Sequence, residues 1–280
     1  MGLLSFRGYP QAVDSLNNHS QNLRKVLIIG GVTYGVSLYA LNKLWYADFD
    51  RGSFHFFNDN PEWLQMDKAG HMHTSFNLTH LGYQTFAHAG YSKKRSLVYG
   101  GVLSLVLMTP IEIFDGFSMA YGASPGDIIA NLSGTAIYVG QILISGKRFL
   151  FIKYSFVPSP FAAYRPNVLG KNQLHQLLKD YNGQTYWASI NLPQRFAPQW
   201  LNLALGYGGE GMVHARTSVN TENGYHNYRQ WYLSLDFDFS HLSPTKRWQR
   251  ILIALGNMIH LPAPALEISQ GGLHAHWLKF

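Results

Sequence analysis

The sequence predicts an α+β protein, with a four-helix N-terminal part and then an antiparallel β-rich part that carries one amphipathic helix. Three observations lead there. Up to about residue 146, apolar residues fill long, charge-poor stretches of helical length and spacing. At Gly146-Lys147-Arg148 the period changes to two, and strand-like alternation follows. Cap and turn signals punctuate both parts. The alternative for residues 147–280 is a small membrane β-barrel, partial or complete, although five recognisable strands are few for closure.

Residues 1–22 read as a polar, mobile lead-in, 23–146 as a helical bundle and 147–280 as the β-rich part. After Arg24-Lys25, the seventeen residues Val26 to Asn42 carry no charge and end near Trp45 and Tyr46. Basic residues at one end and aromatics at the other resemble interfacial anchors, and the alternative is a buried bundle helix. Asp48 to Pro61 is an aromatic loop that closes on the turn signal Asn58-Asp59-Asn60-Pro61. A helix is expected from about Glu62 to Ala89, and another from Ser96 to Phe117, loosened at Pro110. Ser124-Pro125-Gly126-Asp127 opens a fourth helix, with Ser as N-cap, Pro at the first helical position and Asp three residues after the cap. Candidate strands are 149–157, 184–192, 200–208, 228–240 and 265–280, with a basic amphipathic helix from Pro244 between the last two.

Hydrophobic residues make up 46% of the chain and charged residues only 13%, about half the usual charged share. This balance argues against disorder and favours contact with lipid or a large apolar interface. The formal charge of +7 raises nucleic acid as a partner, yet basic residues are scattered outside Lys93-Lys94-Arg95 and the Lys246-Arg247, Arg250 group. With no recognition-helix or RNA-binding pattern, nucleic acid is not expected, and a basic surface beside anionic lipid is the better reading. Membrane lipid is the expected partner, and the alternative function, a non-enzymatic envelope scaffold that binds lipid or a protein, leaves that protein's identity open. The absence of cysteine excludes disulfides, thiolate metal sites and a cysteine nucleophile. The first twenty residues hold no apolar signal core, so the expectation is a processed chain or a targeting role for the run from Val26.

The chemistry concentrates on three helices. Asp67 and His71, four residues apart, share one face of the second helix. Glu112 and Asp115 follow sixteen uncharged residues from Ser96 to Ile111, and carboxylates in such a setting need partners or raised pKa values. Asp127 and Asn131 sit four apart on the fourth helix. His71, Asp67, Glu112 and Asp115 are the candidate catalytic residues, and Asp127, Asn131 and Lys68 the candidate binding residues. One carboxylate orienting the imidazole while another activates water is workable acid–base chemistry. One histidine with two or three carboxylates also suits a hard or borderline divalent metal, the cofactor these residue types allow. Against these stand blander roles: Asp127 as a helix cap, Asn131 as an interhelical hydrogen bonder, and the whole group as a structural network. A lipid-headgroup or ligand site is a further reading. A second stripe, His73, Asn77, His80, Gln84 and His88, lies on another face of the same helix and is expected to be wet or interfacial. No Walker loop, dinucleotide fingerprint, nucleophile elbow or His-Glu-x-x-His motif is present.

Several of these stretches carry a resemblance. Residues 54–60 (Phe-His-Phe-Phe-Asn-Asp-Asn), 63–71 (Trp-Leu-Gln-Met-Asp-Lys-Ala-Gly-His), 112–118 (Glu-Ile-Phe-Asp-Gly-Phe-Ser) and 122–127 (Gly-Ala-Ser-Pro-Gly-Asp) resemble the YfiM-type family. That family is an uncharacterised group of predicted periplasmic or outer-membrane lipoproteins of bacteria. Residues 179–187, 206–212 and 262–267 resemble its longer envelope members. The sequence departs from a lipoprotein in having no cysteine to acylate. A fainter similarity links Asp67-Lys68, His71, Glu112, Asp127, Asn131 and Gly134 to VanZ-like membrane proteins. The resemblance implies an envelope location, at the outer membrane or its periplasmic face with the inner membrane as the alternative. It implies no reaction.

Overall fold

The computed structural model describes residues 10–46, 49–195 and 197–280. Helix α1 spans Pro10–Leu41, so it starts inside the expected lead-in, whose first nine residues lie outside the described ones. It meets the rest of the chain sparingly, through Tyr34 donating to the Leu107 carbonyl, and leaves Val26, Ile29, Val32 and Val36 exposed. It is therefore not the buried bundle helix of the alternative reading.

Helices α2 (Met66–His88), α3 (Lys93–Gly116) and α4 (Pro125–Ser145) pack on one another, with α2 in the middle. Small residues make that contact close. A Cβ on Gly100 would meet the Tyr83 backbone nitrogen at 2.5 Å, and one on Gly134 the Met72 carbonyl oxygen at 2.3 Å. Polar side chains cross the seams: Ser104 Oγ donates to the Ser75 carbonyl at 2.8 Å and Thr79 Oγ to Thr135 Oγ at 3.1 Å. Phe76, Leu97, Tyr138, Ile142 and Ile152 form the apolar core that joins the helices to the sheet. Ser124 caps α4 as its sequence predicts, accepting from the Asp127 N–H at 3.2 Å, and Gly146 ends that helix in the left-handed region (φ 75°).

Helix α2 begins at Met66 rather than at Glu62. Trp63, Leu64 and Gln65 all adopt positive φ (49°, 51° and 63°), a left-handed turn of three residues that L-amino acids rarely make. Downstream groups hold it. Trp63 N–H donates to Ala215 O at 2.7 Å, Tyr207 donates its hydroxyl to Leu64 O, and Arg229 reaches Gln65 Oε1 at 2.6 Å.

Six antiparallel strands follow in sequential order: β1 (Leu150–Phe156), β2 (Gln184–Asn191), β3 (Leu201–Glu210), β4 (Tyr228–Phe237), β5 (Ala263–Ser269) and β6 (Gly272–Lys279). The sheet is open, so no closed barrel forms. The expected last strand, 265–280, is instead a hairpin that turns at Gln270-Gly271, and Gly272 (φ 105°) supplies the conformation the turn needs. Short helices α5 (Pro166–Leu169) and α6 (Gln173–Lys179) link β1 to β2, α7 (Thr217–Glu222) links β3 to β4, and α8 (Arg247–Gly256) is the amphipathic helix before β5.

The sheet's polarity is inverted. Lys153, Ser189, Asn202, Asp236 and Glu267 point inward and are buried, while Leu203, Leu205, Trp231, Leu233, Leu235, Leu266 and Ile268 point outward and are exposed. Lys153 Nζ meets Asp236 Oδ2 at 2.6 Å with both side chains fully enclosed, and also donates to Phe237 O at 2.7 Å. The second polar stripe of α2 faces this interior rather than water over its first half. Asn77 donates to Ile152 O at 3.0 Å, His73 lies 3.3 Å from Met258 O, and His80 Nδ1 lies 3.0 Å from the Tyr138 hydroxyl. Only Gln84 and His88 of that stripe are exposed, because β1 and α4 cover the rest.

Candidate functional site

The three polar helix faces predicted from spacing meet in one place. His71, in the second turn of α2, is the hub. Its Nδ1 lies 3.2 Å from Asn131 Oδ1 on α4 and 3.6 Å from Glu112 Oε1 on α3. Its Nε2 lies 3.9 Å from both Asp67 Oδ1 and Asp127 Oδ1. A ring protonated at Nδ1 therefore turns the Nε2 lone pair toward two carboxylates.

Lys68 extends the cluster. Its ammonium sits 2.6 Å from Asp59 Oδ2, 2.8 Å from Asp127 Oδ1 and 3.3 Å from Asp67 Oδ2. Asp127 thus lies in the middle of the site, between Lys68 and His71, and its place three residues after the Ser124 cap is only part of its role. Burial opposes the charge of Asp67, but His71, Lys68 and the Tyr181 hydroxyl, which donates at 2.8 Å, hold its pKa below the usual value. Burial likewise opposes the Lys68 charge, and Asp67 and Asp127 overcome it and raise its pKa. Tyr181 moves upward, pushed by burial and then by the Asp67 charge.

Glu112 is buried in the seam between α3 and α4, and its Oε2 accepts the Ser124 N–H at 3.2 Å. Its Oε1 accepts no hydrogen bond from the described residues. Asp115, one turn further along α3, stands apart from the His71 contacts and takes the Tyr46 hydroxyl at 2.9 Å. It still faces the same cavity of about 470 Å³, lined by Asp59, Asp67, His71, Asp115 and Asp127 on its polar side. The apolar side of the cavity comes from Leu41, Met108, Ile111, Leu177 and Leu178, with Trp45, Tyr181 and Tyr186 also lining it. Asp67, His71 and Asp127 each offer one ligand atom within 4.8 Å of the others.

Sequence reasoning did not pick out Asp59, Tyr46, Tyr181 or Tyr186. Asp59 lies in the turn Asn58-Asp59-Asn60-Pro61, where an aspartate has a sufficient local reason to occur. There its carboxylate takes Ser124 Oγ at 2.5 Å as well as Lys68, so one turn residue joins α2 to the cap of α4. Tyr181 and Tyr186 come from the β-rich part and Tyr46 from the π-helical turn that follows α1, and no periodicity ties any of them to the cluster.

No curated protein and no solved structure matches the chain. Residues 53–142, which hold every cluster residue from Asp59 to Asn131, match the model of a family described as predicted periplasmic lipoprotein (DUF2279), and this similarity is consistent with a periplasmic, envelope location.

Proposed function

We propose that the chain is an envelope protein in which Asp67, His71 and Asp127 hold a divalent cation for a hydrolytic reaction. The observation that carries this reading is a charge imbalance. Four carboxylates, Asp59, Asp67, Glu112 and Asp127, gather around one lysine and one histidine, Asp115 faces the same cavity, and Glu112 Oε1 is buried without a hydrogen bond among the described residues. Buried carboxylates are retained where cations balance them, and oxygen donors with one imidazole suit a hard or borderline ion. Asp67, His71 and Asp127 would hold the cation, which would supply a polarised water at the cluster, with Glu112, beside His71, as the proton acceptor. Lys68 keeps Asp59, Asp67 and Asp127 together while leaving Asp67 Oδ1 facing His71. The apolar side of the cavity fits a substrate with an acyl or similar apolar portion, its polar group resting on the cluster. The YfiM-type and VanZ-like resemblances support the membrane setting, with the outer membrane as the first choice.

The rival reading is a non-enzymatic scaffold that binds lipid or a partner, and the Lys68 ion pairs favour it because they already neutralise part of the charge. Metal analysis of the detergent-purified protein separates the two. Near-stoichiometric divalent metal, lost in His71→Gln and Asp127→Asn, is expected. Substoichiometric metal under all loading conditions, with stability unchanged by chelator, overturns the cation site and leaves the scaffold.

A further inference from the structure

The outer surfaces of the sheet and of the bundle share one property. On the sheet the outward side chains form cross-strand rows: Ile190, Leu203 and Leu235; Leu205, Leu233 and Leu266; Trp231, Ile268 and Leu273. The alternate positions of the same strands are buried and mix polar groups, including a fully enclosed lysine–aspartate pair, with the small cluster of Trp187, Ala204 and Tyr232. A sheet with one face in water has the opposite arrangement. The bundle repeats the inversion. Helix α3 buries Ser96, Gly100, Gly101, Ser104 and Glu112 and exposes Val98, Val102, Val106 and Ile113. Helix α4 buries Asn131, Gly134, Thr135 and Gln141 and exposes Ile128, Ile129, Leu132 and Ile144.

We infer that the six-stranded sheet is embedded in a lipid bilayer, its outward Leu, Ile and Trp rows against acyl chains, together with the outer faces of α3 and α4. Polar inside and apolar outside, alternating along each strand, is the pattern of a membrane wall. Small and polar residues at the contacts between helices is its helical counterpart. The dimensions agree. Lys93–Gly116 and Pro125–Ser145 are long and apolar enough to cross a membrane. The central strands β3 and β4, ten residues each, reach roughly 33 Å untilted, against a hydrocarbon core of about 30 Å, whereas β1, β2, β5 and β6, of seven or eight residues, reach roughly 23–26 Å and cross only part of it.

Lipid fits better than a second protein copy because the apolar surface lies on two sides of the molecule. Helix α2 contacts α3 and α4 on one side and β1 and β2 on another, so the outward faces of helices and sheet point away from each other. One partner interface covers one side, whereas a bilayer covers both. Two further features agree. Helix α8 exposes Trp248, Ile251, Leu252 and Leu255 beside Arg250, as an interfacial helix does. The outer edge of β1 is paired at Tyr154, whose N–H donates to Met258 O and whose carbonyl accepts the His260 N–H, both at 2.9 Å, while Asn77 donates to Ile152 O and Gln141 Oε1 accepts the Leu150 N–H, both at 3.0 Å. That matters because unpaired strand edges are not tolerated in hydrocarbon. β6, exposed on both faces, forms the margin of the wall and meets water or another strand.

The chain has no cysteine, so single-cysteine labelling needs no background removal. Leu205→Cys, Leu233→Cys, Val102→Cys and Glu222→Cys, each at an exposed position, carry nitroxide labels in the full chain reconstituted into phosphatidylethanolamine–phosphatidylglycerol vesicles. Collision with oxygen is compared with collision with a neutral water-soluble nickel chelate. The labels at 205, 233 and 102 are expected to favour oxygen several-fold, and the label at 222, on α7, to favour nickel. Nickel preference at 205 and 233 with oxygen preference at 102 overturns the inference, putting the sheet in water beside a helical anchor. Shielding of 205 and 233 from both reagents also overturns it, in favour of a protein partner.

Discussion

His71 and Glu112 face each other across the seam between α2 and α3, with Nδ1 3.6 Å from Oε1. Both side chains are buried, so removing Glu112 takes a carboxylate partner from His71 and leaves the Ser124 N–H without its acceptor. Glu112→Ala is expected to lower unfolding stability by about 3 kcal/mol, in the range for breaking a buried ionic contact. Glu112→Gln keeps the acceptor for the Ser124 N–H and should cost less than half as much. Equal losses for the two variants in denaturant unfolding of the detergent-solubilised protein would show that packing, not polarity, governs the position.

The enclosed Lys153–Asp236 pair gives a second comparison. Lys153→Ala strands a fully buried carboxylate, and a loss of about 3–5 kcal/mol is expected. Lys153→Met combined with Asp236→Leu removes both charges and should restore much of that loss. A double variant less stable than the single one contradicts this account.

Helix contact predicts an asymmetry between two glycines of α4. Gly134→Ala forces a methyl group into the Met72 carbonyl and should destabilise by about 1–3 kcal/mol. Gly140→Ala meets nothing within 4 Å and should be neutral or stabilising, since alanine favours a helix by up to about 1 kcal/mol. The contrast is read from melting temperatures of the two variants side by side.

Acid should weaken the fold through His80. Burial, and then the Arg148 charge, lower its pKa from 6.5 to about 3, so the folded protein holds it neutral where the unfolded chain takes a proton. The stability contributed by the neutral ring is intact above pH 6.5 and is lost as pH falls toward the folded value, at about 1.4 kcal/mol per unit. His80→Gln should remove this part of the slope, so the variant gains on the wild type between pH 6.5 and 4. Parallel stability curves across that interval would refute the assignment.

Fractionation tests the setting more coarsely. The protein is expected to sediment with membranes and to be released by detergent more readily than by salt, because large apolar side chains are exposed along the sheet, α1, α3 and α4. Recovery after a low-salt wash would contradict it.

The helical half was legible in the sequence because spacing carries geometry. Asp67 with His71, and Asp127 with Asn131, repeat at one turn, and the structure brings both pairs to Glu112. Asp115 shows the limit of that argument. A step of three residues along α3 turns it toward Tyr46, and spacing within one helix does not say which neighbour each turn meets. The start of α2 was misplaced because Trp63, Leu64 and Gln65 are ordinary helix residues by composition, and contacts with Ala215, Tyr207 and Arg229 override that preference. The single strand expected over 265–280 overlooks a change of phase, from Leu266 and Ile268 at even positions to Leu273 and Trp277 at odd ones, which together with Gly271-Gly272 marks the reversal.

The left-handed turn at Trp63–Gln65 also bears on the order in which the chain assembles. Each of its residues costs roughly 1–2 kcal/mol relative to right-handed backbone, and the groups that offset this lie more than a hundred positions later. During synthesis α2, α3 and α4 emerge first and can dock through their glycine seams. Asp67 takes its 2.8 Å hydrogen bond from Tyr181, so the cluster gains this donor only when the β-rich part docks on the helices. The acidic cluster is thus the last part of the helical half to mature, and its completion marks the moment when the C-terminal half has folded.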